Sequence, residues 1–169
     1  MGLILALDTS TAACTAALFD ASGACVASRD ERIGRGHAER LVPMLDELLG
    51  GRRAESILVG VGPGSFTGIR VGLAAAHGLA IGWDCPLRGL SSLALLAAGA
   101  HTGGSVAAAI DGGHGELFVQ QFDDELEPDG DLMNLPPADA AERIGAPVVI
   151  GPGAAGLVSA GRSGQALVG

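Results

Sequence analysis

Two aspartates end apolar runs in the same way: Asp8 closes LILALD at 3–8, and Asp111 closes VAAAID at 106–111. A carboxylate at a strand end is well placed to organise a divalent cation and phosphate oxygens. Each run is later followed by a strand ending in Gly-Pro-Gly, VGVGPG at 59–64 and VVIGPG at 148–153. The first continues as SFTGIR, so Gly62, Gly64 and Ser65 stand where a helix begins. Backbone N–H groups and the helix dipole attract anions at such a point. Asp8, Gly62, Gly64, Ser65, Asp111 and Gly112 are therefore the candidate nucleotide- or anion-binding residues. The loop lacks the Lys-Ser/Thr ending of a Walker A motif and the spacing of GxGxxG. A phosphate-wrapping turn also wants glycine beside the acid. DGGHG (111–115) offers it and DTSTA (8–12) does not, so half the clamp is missing and turn capping by either aspartate is the plainer account.

Other chemistries are poorly supplied. His37, His77, His101 and His114 are scattered without HExxH or another ligand spacing, which argues against a zinc site. No GxSxG elbow is present and Ser65 has no evident base. Cys14, Cys25 and Cys85 are odd in number and lack CxxC spacing, as expected of a reduced interior. The net charge is −9, with no lysine, and residues 101–169 carry two arginines against ten acids. Such a surface repels a phosphate backbone, and 3% aromatic residues leave little for base stacking. Arg29, Arg32, Arg35 and Arg40 are interleaved with Asp30, Glu31 and Glu39 and read as a solvated face. No leader pattern opens the chain, and the longest apolar stretch, 71–82, is interrupted by His77. It is shorter than the roughly 20 residues a bilayer requires. A soluble, cytoplasmic protein without a membrane partner is expected.

The elements that must position these residues are legible in the pattern. LILALD (3–8), CTAALF (14–19) and ACVASR (24–29) read as three strands joined by turns. Leu41, Met44, Leu45, Leu48 and Leu49 recur with helical spacing before Gly50-Gly51. Pro43 suits only a first turn, which places that helix start near Ala38 to Arg40. SILVGVG (56–62) reads as a buried strand, 66–82 as a helix, CPLRGL (85–90) as a strand, and 91–100 as a helix capped by Ser91 or Ser92. In the helix over 66–82, Gly68, Gly72, Ala76 and Ala80 form a strip without bulk beside Val71, Ala75 and Leu79. Such a strip lets another backbone approach closely, either inside the parent molecule or on a partner.

The pattern then restarts. VAAAID and ELFVQQF (116–122) repeat the first two strands, and Asp8–Asp20 and Asp111–Asp123 share a 12-residue interval. An internal duplication follows, with units at 1–102 and 103–169. Only 16 residues follow the second Gly-Pro-Gly, so the second unit reads as shortened.

Together these segments resemble the TsaB, or YeaZ, family of tRNA threonylcarbamoyladenosine (t6A) biosynthesis proteins. LALDTSTAACTAAL resembles its N-terminal hairpin, and GHAERLVPMLDELL resembles its His-x-x-x-Leu-x-Pro helix, here His37, Leu41 and Pro43. GVGPGSFTGIRVGLAAAHGLA is close to the family signature, with GLSSLALLA and AAIDGGHGELFVQQF matching later segments. The resemblance covers roughly residues 3–122. It implies an α/β, actin-like (ASKHA) architecture of two RNase H-like βββαβα units, the second incomplete. It also implies a non-catalytic subunit that pairs with and activates TsaD, the metal-binding transferase, in an assembly with the ATPase TsaE. ATP and metal would be used by partner enzymes and no cofactor by this chain, tRNA would be met only through the complex, and a homodimer would form when the partner is absent. TsaD carries a His-x-x-x-His metal pair where this sequence reads LRGLSSLALLA (87–97). The family contact is a helix bundle, which points to Leu41, Met44, Leu45, Leu48, Gly68, Val71, Gly72, Ala75 and Leu79 as the partner interface. Two other readings stay open: an active actin-like ATPase or kinase using the two aspartates, and an M22-type metallopeptidase-like protein.

Overall fold

In the computed structural model, residues 2–99, 103–161 and 165–167 are described. The chain begins with β1 (Ile4–Asp8), β2 (Ala13–Phe19) and β3 (Cys25–Arg32), an antiparallel run in which Leu5 faces Leu18 and Leu7 faces Ala16 across the β1–β2 pair. α1 (His37–Leu49), β4 (Ser56–Gly60), α2 (Phe66–Trp83) and β5 (Leu87–Leu90) follow. β4 pairs parallel with β1, and β5 parallel with β4, giving the order β3-β2-β1-β4-β5. β3 runs three residues past its expected end, through Arg32. Pairing with β2 holds its charged end extended at the edge of the sheet, where charge also discourages further strand addition.

β1 and β2 alternate buried and half-buried residues because α1 and α2 cover one face. Leu5, Leu7, Cys14, Ala16, Leu18, Ile57 and Val59 meet Leu41, Met44, Leu45, Leu48 and Ala76 in a single core. α1 starts at His37, so Pro43 lies inside the helix, not in its first turn. The hydrogen bond it forfeits would go to Glu39, an exposed residue, and the buried leucine face outweighs the loss.

The second half repeats the plan: β6 (Val106–Gly113), β7 (Glu116–Phe122), β8 (Met133–Leu135), α4 (Pro137–Arg143), β9 (Val148–Ile150), α5 (Ala154–Ser159) and β10 (Gln165–Leu167). Its sheet order, β10-β9-β6-β7-β8, is that of the first sheet read from the other edge. All five strands are therefore present in both sheets. The shortness expected of this unit falls on its helices, seven and six residues in α4 and α5.

Residues 1–90 and 91–169 form the two compact units. The boundary lies before α3 (Ser92–Gly99), not near residue 102, because α3 packs on β6 and β7. Leu93 and Ala97 join Val106, Ala108, Ile110 and Phe122 on one face of the second sheet. Ala107, Ala109, Leu117 and Val119 meet Ala140 of α4, Ile144 just after it and Leu157 of α5 on the other. With both faces covered, residues 106–110 of β6 are all buried, as in the centre of a two-sided sheet.

Candidate functional site

The chemistry-bearing residues of the first unit converge on the turn between β1 and β2. The Asp8 carboxylate accepts the Ser10 N–H at 2.6 Å. A Cβ at Gly60 would collide with that carboxylate as it stands, so a larger residue there would push the Asp8 side chain aside. The Thr11 hydroxyl accepts the Ala13 N–H at 3.1 Å. Asp8 thus acts as a turn cap within the described contacts.

α2 then lies directly against this turn. The buried Thr9 hydroxyl donates to the Gly68 carbonyl at 2.7 Å. The Ser65 N–H donates to the Ser10 carbonyl at 2.6 Å, and the Ser65 hydroxyl accepts the Gly68 N–H at 3.2 Å. A Cβ on Gly64 would strike the Ser10 carbonyl, one on Gly68 the Thr9 carbonyl, and one on Gly72 would sit 2.5 Å from the Thr9 hydroxyl. Gly62 is buried, at φ 89°, against Ile69. α1 reaches the same turn from its own start: His37 Nε2 lies 2.9 Å from the Thr11 carbonyl and 3.2 Å from that of Ala13. Because both partners are carbonyls, Nε2 carries the proton and donates. The turn is thus a joint that holds both helices, and the N–H groups of Ser10, Ala13, Ser65 and Gly68 are engaged inside it. A phosphate bound through those four N–H groups would have to displace these contacts.

The second unit does not mirror this arrangement. β4 pairs with β1 as far as Val59 opposite Leu7, which brings Gly60 beside Asp8. β9 instead ends with Ile150 opposite Ala108. The second Gly-Pro-Gly therefore packs on Ala109, whose carbonyl accepts the Gly153 N–H at 3.0 Å. Asp111 lies two residues further along β6, exposed, and Gly112 leads into the two-residue hairpin at His114-Gly115. The equal sequence intervals do not translate into equal positions in space.

The expected partner interface needs correction. Leu41, Met44, Leu45 and Leu48 are 0 to 4% exposed inside the first core, and Gly68 and Gly72 are buried against the Thr9 turn. Val71, Ala75 and Leu79 are half-buried on the same core. The small-residue strip serves internal packing, because a loop backbone fills the space that side chains would otherwise take. What α2 exposes is the opposite side. With 3.6 residues per turn, Phe66, Arg70, Ala74, His77 and Ile81 share one face, opposite Gly68, Gly72 and Ala76. Phe66 is 67% exposed and Ile81 82%. The Arg70 guanidinium lies 3.7 Å from the centre of the Phe66 ring. α1 adds Val42, also exposed. Sequence reasoning missed this face; the signal was two large apolar residues, Phe66 and Ile81, 15 positions apart, about four turns.

Around this site Arg40 bonds Glu31 of β3 and Glu47 of α1. Those hydrogen bonds hold both carboxyls below the usual carboxylate range. Burial pushes the Cys14 thiol up, beside the Met44 sulfur at 3.9 Å, so it behaves as a core residue. Among the described residues, no three His, Cys, Asp or Glu side chains are grouped so as to hold a metal. The stretch 87–97 forms β5 and most of α3, where Ser92, Leu93 and Ala97 are buried. His101 lies outside the described residues. No helix among them is long and apolar enough to cross a membrane.

The model of the TsaD family, tRNA N6-adenosine threonylcarbamoyltransferase, matches residues 29–155. The chain is 40% identical over 126 residues to the tRNA threonylcarbamoyladenosine biosynthesis protein TsaB of Haemophilus influenzae, covering 70% of this chain and 52% of that one. It is 37% identical to TsaB of Escherichia coli, covering 70% and 54%. YeaZ from Pseudomonas aeruginosa superposes with a TM-score of 0.78 at 33% identity, covering all of this chain and 84% of that one. The chain belongs to the TsaB/YeaZ family. It spans about half the length of the two curated TsaB relatives. Its actin-like fold, with two sheets of matching strand order, is the fold of that family.

Proposed function

We propose that this chain is a non-catalytic subunit for t6A modification of tRNA, which pairs with and activates a TsaD-type transferase. The observation that carries the reading is its likeness to proteins named for t6A biosynthesis, combined with a turn at Asp8 built to hold helices. The 87–97 segment supports it, since serine, leucine and alanine there cannot replace imidazole as metal ligands. The chain needs no cofactor of its own; ATP and metal belong to the partner enzymes, with TsaE in the same assembly, and the work is done in the cytoplasm. The partner docks on the exposed side of α2, through Phe66, Ala74, Gly78 and Ile81. Exposed apolar side chains on a helix face bury well against a second helix, with Arg70 and His77 on the same face left to meet polar groups of the partner. The same face closes a homodimer when the partner is absent. Mass spectrometry of tRNA nucleosides from cells depleted of this chain tests the proposal: t6A falls if it is correct, and unchanged t6A refutes it.

A further inference from the structure

The Thr9 hydroxyl is 59 residues from Gly68 in sequence, yet it is buried and bonded to that carbonyl on the first turn of α2. The same oxygen would lie 2.5 Å from a Cβ at Gly72, one turn further on. It therefore touches two successive turns of the helix. Its own backbone carbonyl leaves no space for a Cβ at Gly68, and the Ser10 carbonyl receives the Ser65 N–H that precedes the helix. α2 is thus registered at its start by one short turn, which meets the side of the helix opposite its exposed residues. From this arrangement we infer that Thr9 is a positioning residue for partner recognition: it seats α2 on the β1–β2 turn and so sets the placement of the Phe66–Ile81 face. This rests on the reading that the exposed side of α2 is the docking face.

The physical reason is the asymmetry of a buried hydrogen bond. A carbonyl of the first helical turn normally accepts an N–H four residues on, and the Gly68 carbonyl additionally takes the Thr9 hydroxyl. Replacing that hydroxyl by a methyl group puts an apolar atom against a buried carbonyl. The helix relieves this by moving away from the turn, and a face that must mesh with a second helix is sensitive to such a shift. Serine keeps the oxygen and loses only the methyl group.

The test uses the full chain with Thr9→Val, Thr9→Ser and Ile81→Asp. Two measurements are made: amide hydrogen exchange over residues 66–83, and calorimetric affinity for a TsaD-type transferase. Trp83, the single tryptophan, is half-buried on the first core at the end of α2, so its emission reports seating independently. Thr9→Val is expected to speed exchange at the start of α2 about tenfold and to weaken pairing about fivefold, with Thr9→Ser within about twofold of the parent in both. Unchanged exchange in Thr9→Val overturns the inference, and so does faster exchange with unchanged pairing. Ile81→Asp should abolish pairing without altering exchange. If it pairs like the parent, the docking face itself is wrong, and any weakening by Thr9→Val cannot act through it. Should Thr9→Val fail to fold, Gly72→Ala, whose added Cβ presses on the same hydroxyl, carries the comparison with the same criteria.

Discussion

Glycines along α2 differ in what surrounds them, and the difference can be measured. At Gly68 an added methyl would meet the Thr9 backbone carbonyl, which cannot rotate away. Gly68→Ala should destabilise the chain by about 1–3 kcal/mol, read from urea unfolding. At Gly78 nothing lies within 4 Å of the new atom. Gly78→Ala should therefore stabilise by about 0.5–1 kcal/mol through helix propensity alone. Equal effects at both sites would contradict the buried and exposed faces described above. Glu31 offers a pH test. Its hydrogen bonds to Arg40 lower its folded value, so the contribution is present above the unfolded carboxylate range and is lost as pH falls through the folded value. The parent and Glu31→Gln should differ slightly in urea midpoint at pH 7 and converge well below about pH 4. A difference that persists in acid would show that the pair contributes by packing instead of charge.

At the scale of elements, the first unit was largely legible because its signals are long. The α1 leucines recur over three turns, Gly50-Gly51 stops them, and β4 carries the apolar run Ile57-Leu58-Val59. β8 and α4 escaped notice because three strand residues and a seven-residue helix behind Pro136-Pro137 offer too few periods to register. The side of α2 that faces inward was not legible either. Periodicity shows that a helix has two stripes, but only the three-dimensional position of Thr9 and Ser10 shows that the small one is filled. The Gly-Pro-Gly duplication misled in a similar way, since shortened β9 moves its turn to Ala109. Assignment of α3 to the second unit makes a separate prediction. Leu93→Ala removes a fully buried side chain from the α3–β6 face and should cost about 2–5 kcal/mol. The loss should appear as faster hydrogen exchange in β6 and β7, with β1 and β2 unaffected. Faster exchange in β1 would place α3 with the first sheet.

For the whole molecule, two RNase H-like sheets share one strand order, but only the first has an aspartate level with its glycine bend, and there the bend grips a helix. That turn is a joint for α1 and α2. The helix so held presents an outer side with Phe66 and Ile81 exposed, and the account gives that side to a transferase partner. The most direct test is reconstituted tRNA modification with a TsaD-type transferase, threonylcarbamoyl-adenylate and substrate tRNA, with this chain titrated in. The account predicts no modification by the chain alone and a rate that climbs with added chain until the partner is saturated. Modification by the chain in the partner's absence, or a partner rate indifferent to its addition, would contradict it.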